Sequence, residues 1–359
     1  MTLKTDNLNI QSTQRLISPA ELRAAVPLTE AAADTTVAGR AAIENILLRR
    51  DDRRLFVIVG PCSIHNREAA LEYARRLRDL SADIADRVIP IMRVYFEKPR
   101  TSLGWKGLIY DPDLDDSGHI DKGLRQAREI LRDIVELGVP AATELLEPIV
   151  PQYITDLLSW AAIGARTTES QTHRQMASGL SMPIGFKNAT DGQVQTAVEA
   201  VRTARSPHTF IGIQEDGHVG LFRTRGNAFG HLVLRGGAQQ PNYTSEHIAF
   251  TSEVMRKNTI EPNIVVDCSH ANSRKLPEKQ AQVADNVLLQ MAEGQTHIVG
   301  LMIESNLLPG NQPLDISSDK PPEPGRSITD ACLGWENTEK ILRHIHTEMQ
   351  RMNYGSQTA

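Results

Sequence analysis

The sequence is short of cysteine, of surplus positive charge and of long apolar runs, and each shortage removes a class of protein. Three cysteines in 359 residues, Cys62, Cys268 and Cys332, are too few and odd in number for a disulfide framework. A reducing cytoplasm is the expected compartment. Lysine and arginine total 39 against 44 aspartates and glutamates, a net charge of −5, which argues against a nucleic-acid or anionic-membrane partner. No apolar stretch is long enough to span a bilayer, and the polar start Met1-Thr-Leu-Lys-Thr-Asp-Asn7 is no signal peptide. No repeat or low-complexity segment stands out, and no Gly-x-Gly-x-x-Gly follows the first strand-like run.

What is present begins with Ile91-Met-Arg-Val-Tyr-Phe-Glu-Lys-Pro-Arg-Thr101, where a β-leaning run carries Arg93 and spills into Lys98 and Arg100. A buried strand tolerates an arginine only where an anion or carboxylate meets it. Pro99 neither extends a helix nor donates to a ladder, so the cations sit on a fixed loop. The segment reads as a phosphate or carboxylate cradle, or as a salt-bridged scaffold strand.

Short apolar runs recur at Leu55–Val59, Val88–Phe96, Val139–Glu144, Trp160–Arg166, Pro183–Lys187, His231–Arg235, Asn263–His270 and Ile298–Glu304. Helical periodicity fills most gaps, as from Lys122 to Leu137 with its Leu124, Ile130, Leu131, Ile134 and Val135 stripe. Eight strands alternating with helices predict an α/β fold, a (β/α)8 TIM barrel, with a doubly wound sheet as runner-up. Residues 1–50 precede the first strand as an N-terminal extension with a helix from about Ala38 to Arg50. The barrel is expected over 51–350, with an antiparallel hairpin inserted at about 208–225 around the turn signal Glu215-Asp216-Gly217, and a flexible tail over 351–359.

Each expected strand ends in, or is followed by, a reactive residue: Cys62, then Arg93 with Lys98 and Arg100, then Glu144, Arg166, Lys187, Arg235, His270 and Glu304. In a barrel all these ends open on one face, where active sites are built. They sort into two sets. Cys62, His270 and Glu304, with Asp330, offer ligands for a divalent transition metal. Arg93, Lys98, Arg100, Arg166, Lys187 and Arg235 offer six cations for phosphates and a carboxylate. Taken singly, Cys62 also reads as a packed hydrophobe, His270 as a core or capping histidine, and Asp330 as the N-cap of a Cys332–His346 helix.

Gly60-Pro-Cys-Ser-Ile-His65, Met92-Arg-Val-Tyr-Phe-Glu-Lys-Pro-Arg-Thr101, Gly104-Trp-Lys-Gly107, Gly164-Ala-Arg-Thr-Thr-Glu-Ser-Gln171, Gly185-Phe-Lys-Asn188, Leu234-Arg-Gly-Gly237, Asp267-Cys-Ser-His270 and Ser327-Ile-Thr-Asp330 together resemble the type I 3-deoxy-D-arabino-heptulosonate 7-phosphate (DAHP) synthases, feedback-regulated microbial subgroup. The resemblance runs from about residue 15 to 350. Two departures are Ala189, where a glycine is expected, and Ala238-Gln-Gln, where a lysine is usual.

The resemblance implies condensation of phosphoenolpyruvate (PEP) with D-erythrose 4-phosphate and water to DAHP and phosphate, at the head of the shikimate pathway. It implies PEP-binding roles for Arg93, Lys98, Arg166, Lys187 and Arg235, and sugar-phosphate roles for Arg100 and Thr101. It also implies one divalent metal ion (Mn²⁺, Fe²⁺, Co²⁺ or Zn²⁺) on Cys62, His270, Glu304 and Asp330. Lys98 is the expected proton donor, with a pKa lowered by cationic neighbours. Glu144 either orients the attacking water or pairs with a cation. An aromatic amino-acid effector, tyrosine favoured through Leu180-Ser-Met-Pro183, is expected at Pro148, Gln152, Ser181, Phe210 and Phe222, in a homodimer or homotetramer. Two rivals are a 3-deoxy-octulosonate 8-phosphate synthase-like enzyme using arabinose 5-phosphate, and a regulatory barrel that binds an aromatic amino acid without catalysis.

Overall fold

A computed structural model describes residues 5–316 and 320–352; part of the expected tail, 353–359, lies outside them. Eight parallel strands close into a barrel in the order Leu55–Gly60, Ile298–Glu304, Ile264–Asp267, Gly230–Leu234, Ile184–Lys187, Trp160–Ile163, Ala141–Glu144, Val88–Arg93. Two helices precede it, α1 (Pro19–Ala25) and α2 (Glu30–Leu47), so the helix expected from Ala38 begins eight residues earlier. Ser18 opens α1 with a reciprocal capping box to Glu21, and the Thr29 side chain caps α2.

β1 (Leu55–Gly60), α3 (Arg67–Ile84), β2 (Val88–Arg93), α4 (Ile120–Glu136), β3 (Ala141–Glu144) and α5 (Pro151–Ile154) form the first half. β4 (Trp160–Ile163), α6 (Gln171–Ala177), β5 (Ile184–Lys187) and α7 (Gln195–Ala204) follow. The hairpin of β6 (Thr209–Ile213) and β7 (Val219–Arg223) stands apart, with Phe210 opposite Phe222. β8 (Gly230–Leu234), α8 (Ser245–Lys257), β9 (Ile264–Asp267), α9 (Gln280–Ala292), β10 (Ile298–Glu304) and α10 (Trp335–Arg351) complete the chain.

Two findings differ from the sequence reading. Several strands stop early: β4 ends at Ile163 rather than Arg166, and β9 at Asp267 rather than His270. A strand signal marks where the chain is buried; past Ile163 and Asp267 the chain turns into loops, with only the Cys268 backbone amide still bonded to the neighbouring strand, at the Met302 carbonyl 2.8 Å away. Further on, no helix starts at Cys332. α10 begins at Trp335 behind Gly334, and Cys332 instead bridges Gly310 while Leu333 bridges Ser305. Asp330 therefore caps nothing; it lies in a loop stitched beside the end of β10.

The period of two along each strand explains where the core and the charges go. Phe56, Ile58, Ile89, Ile91, Ala142, Trp160, Ala162, Val233, Val265 and Met302 fill the barrel interior. Ile43, Ile46 and Leu47 of α2 join that same cluster, so α2 closes the barrel floor. The outward row, with Leu55, Val57, Val59 and Ile184, packs under the helices. Following the inward row upward leads from apolar residues to Arg93, Glu144, Lys187, Asp267 and Glu304, each at the last position of its strand.

Candidate active site

The top layer of the barrel is a ring of opposed charges, all buried. Arg93 Nη2 meets Glu304 Oε1 at 2.8 Å, and Lys187 Nζ meets Glu144 Oε2 at 2.7 Å. Asp267 Oδ2 lies 2.8 Å from His270 Nδ1, close enough for charge but off the line of a hydrogen bond. Burial alone would raise the carboxylate pKa values. Lys187 overrules it at Glu144, and His270 with Arg93 overrule it at Glu304, so both are held below the usual range.

Local packing fixes these groups. Gln280, fully buried on α9, donates to the Glu304 carbonyl at 2.9 Å and accepts from the Glu304 amide at 2.8 Å, while Ser269 Oγ donates to Glu304 Oε2 at 2.7 Å. A Cβ at Gly164 would stand 2.5 Å from Glu144 Oε1, so only glycine there leaves this carboxylate its position. The Arg93 guanidinium lies over the Tyr95 ring, 3.7 Å from its centroid.

Cys62 Sγ and one carboxylate oxygen each of Glu304 and Asp330 lie within 4.8 Å of one another. His270, the fourth expected ligand, stands at the edge of this group with Nε2 3.8 Å from Glu304 Oε1 and Nδ1 turned to Asp267. Thiol, imidazole and carboxylate form a donor set that suits a borderline divalent cation, and Asp267 supplies the outer partner that ligating histidines ordinarily have.

Lys98 Nζ lies 2.7 Å from Cys62 Sγ and 3.2 Å from Asp330 Oδ2. Burial works against its charge, but Cys62, Glu304 and Asp330 overrule it and hold the ammonium above the usual lysine range. The expected lowering is thus reversed, because Lys98 turns away from the other cations into an acidic corner.

Arg93, Lys98, Arg100, Glu144, Arg166, Lys187, Arg235, His270 and Asp330 all line one cavity of about 160 Å³. Arg100 is braced by its Nε bond to the Trp105 carbonyl at 2.8 Å. Thr101 is exposed and does not line this cavity. The sequence reading missed Asp267, although it holds the same strand-end, inward position as Glu304. It also missed Tyr95, whose buried hydroxyl has no protein partner, and Lys275, a cation five residues past His270.

A second cavity, about 660 Å³, lies beneath the hairpin, and Pro148, Gln152, Ser181, Phe210 and Phe222 all line it. Phe210 and Phe222 stack at 5.7 Å between centroids. α1 clasps its rim: Arg23 bonds the Gln152 carbonyl and Glu215, each at 2.8 Å, and Tyr153 Oη donates to the Ile17 carbonyl at 2.7 Å.

The sequence pattern of the DAHP synthetase I family matches residues 36–343. The chain belongs to that family. Relatives in the family include the Tyr-sensitive phospho-2-dehydro-3-deoxyheptonate aldolase of Salmonella typhimurium, 50% identical over 347 residues that cover 96% of each chain. The Phe-sensitive aldolase of Escherichia coli is 49% identical, across 96% of this chain and 97% of its own length. The solved structure of the Francisella tularensis aldolase superposes with a TM-score of 0.92 at 47% identity, covering 95% of this chain and 99% of that one. The family assignment thus agrees with the resemblance carried by the strand-end motifs, and with the closed barrel that presents them.

Proposed function

We propose that the charged top layer and the adjoining Cys62–Glu304–Asp330 cluster are the centre at which this DAHP synthetase family member condenses PEP with erythrose 4-phosphate and water, releasing DAHP and phosphate. The observation that carries the assignment is the convergence of the six expected cations on one small cavity whose wall includes His270 and Asp330, with Cys62 and Glu304 grouped around Asp330. PEP brings a carboxylate and a phosphate, and Arg93, Lys187, Arg166 and Arg235 supply charge-assisted donors for both. Arg100 takes the sugar phosphate at the wall of the cavity, with Thr101 next to it on the exposed loop outside that wall.

A divalent cation on Cys62, His270, Glu304 and Asp330 supplies, when bound, Lewis-acid polarisation of the aldehyde. C3 of PEP attacks that carbonyl carbon, a C–C bond forms, and the developing alkoxide takes a proton from Lys98. Water then adds at C2 and the C2–O bond to phosphate breaks, the electron pair leaving with the phosphate; of the water's two protons one restores Lys98 and the other goes to the departing phosphate. Glu144, anchored by Lys187, orients that water. The ring of paired charges holds these groups in place before substrate arrives, so little reorganisation remains for the reaction itself.

The cavity under the hairpin takes the aromatic amino-acid effector, with Phe210 and Phe222 as its apolar wall and Ser181 and Gln152 as polar partners. Tyrosine is the favoured effector. Exposed Ile211, Val219 and Leu221 of the hairpin, with Leu8 and Ile10 near the start of the chain, support assembly into dimers or tetramers. None of the helices among the described residues is long and apolar enough to cross a membrane. Phosphate release measured with erythrose 4-phosphate and with arabinose 5-phosphate in turn tests the substrate assignment. Turnover with the first and little with the second is expected; the reverse order overturns it.

A further inference from the structure

Beside the catalytic cavity lies an outer one of about 420 Å³, walled by Arg166, Arg235, Arg274 and Lys275 and by the Gly237–Pro241 loop. Arg166, Arg235 and Lys275 line both cavities, so the two adjoin; Arg274 lines only the outer one. No carboxylate lines it among the described residues, and none of the four cations makes an ion pair there. Four like charges around one concavity repel one another unless an anion sits among them.

The backbone gives an independent sign. Arg274 and Lys275 have φ of 53° and 60°, a left-handed conformation that costs a side-chain-bearing residue free energy. With His270 at 52°, three of the eight such non-glycine residues in the described chain fall within this one loop after β9. Bonds from the Arg274 amide to the Ala271 carbonyl at 3.1 Å and from the Lys275 amide to the His270 carbonyl at 2.7 Å keep the loop in that shape. Strain of this kind persists where the surroundings hold it, and here it brings two exposed cations to the wall of the cavity.

We propose that the outer cavity is an anion subsite for a phosphate oxyanion, placed on the path between solvent and the catalytic cavity, with Arg274 as its distinguishing residue and Lys275 shared between the two cavities. The inference rests on the phosphate chemistry assigned above. Two sources share that chemistry, the incoming phosphate ester and the orthophosphate that leaves.

Calorimetric titration with inorganic orthophosphate on the native chain, Arg274→Gln and Arg274→Gly is the test. Both variants are expected to bind phosphate about tenfold more weakly, the loss of one charge-assisted contact. Glycine also adopts the left-handed backbone freely, so Arg274→Gly should melt no lower than the native chain. Initial rates then separate the sources. Weaker product inhibition by orthophosphate with an unchanged KM for PEP assigns the subsite to the departing phosphate; a parallel rise in KM assigns it to the incoming ester as well. Unchanged phosphate affinity in both folded variants overturns the proposal. A native chain that binds orthophosphate through Arg274 yet makes no DAHP would overturn the catalytic reading and leave the subsite standing.

Discussion

Replacing Lys187 by methionine removes one member of the buried pair with Glu144 and separates stability from chemistry. Breaking a buried ion pair from one side costs about 3–5 kcal/mol, because the remaining charge has lost its partner. Arg93 and His270 also favour the Glu144 carboxylate, which points to the lower end, about 3 kcal/mol. At about 2.1 cal/mol/K of unfolding entropy per residue, this is roughly a 4 °C fall in Tm for 359 residues. Adding Glu144→Leu should recover most of that fall, since an apolar pair of similar size carries no desolvation cost. Turnover should be lost in both proteins. The pH dependence has a definite sign: Glu144 is held below its ordinary 4.5, so its contribution is present above that pH and lost as the pH falls. The native–Lys187→Met difference should therefore narrow in acid. Calorimetric melting across pH, with phosphate-release rates at neutral pH, measures both arms. A double variant no more stable than the single one, or one that still turns over, would refute the account of this pair.

Three further outcomes follow from the geometry. Cys62→Ala and His270→Ala should each abolish turnover and metal retention on dialysis while the circular dichroism spectrum stays native, because these groups lie at the functional end of the barrel. Removing residues 1–30, or Ser181→Trp, should relieve inhibition by tyrosine while sparing much of the rate; the cut leaves the α2 residues that plug the barrel floor, and inhibition curves show whether it works. Cys332 is buried and close enough to Cys62 for Cys62 to bear on its ionisation, so Cys332→Ser should slow inactivation in air, and equal decay of both proteins would exclude a disulfide between them.

Much of the site was legible in the sequence because barrel strands obey two rules at once. Alternation sends every second residue inward, and parallel connection puts every strand end on one face. Arg93, Glu144, Lys187 and Glu304 satisfy both rules, and each lies at its strand end. Asp267 satisfies them too but was passed over for His270, whose chemistry is more conspicuous three residues later. Lys275 was invisible because no periodicity describes a left-handed turn. The Lys98 pKa was misjudged because sequence neighbours such as Arg100 are not its neighbours in space; Cys62 and Asp330, 36 residues before and 232 after, decide it. The Cys332 helix failed for a related reason, since Gly310 and Ser305 recruit that segment into bridges that no local pattern announces.

The most direct measurement is PEP consumption with erythrose 4-phosphate by protein stripped with a chelator, then resupplied in turn with Mn²⁺, Fe²⁺, Co²⁺ and Zn²⁺. Loss of activity on stripping and its return with at least one of these ions is the predicted result. Undiminished PEP consumption after exhaustive chelation would contradict the assignment of Cys62, His270, Glu304 and Asp330 as the ligands of a working metal.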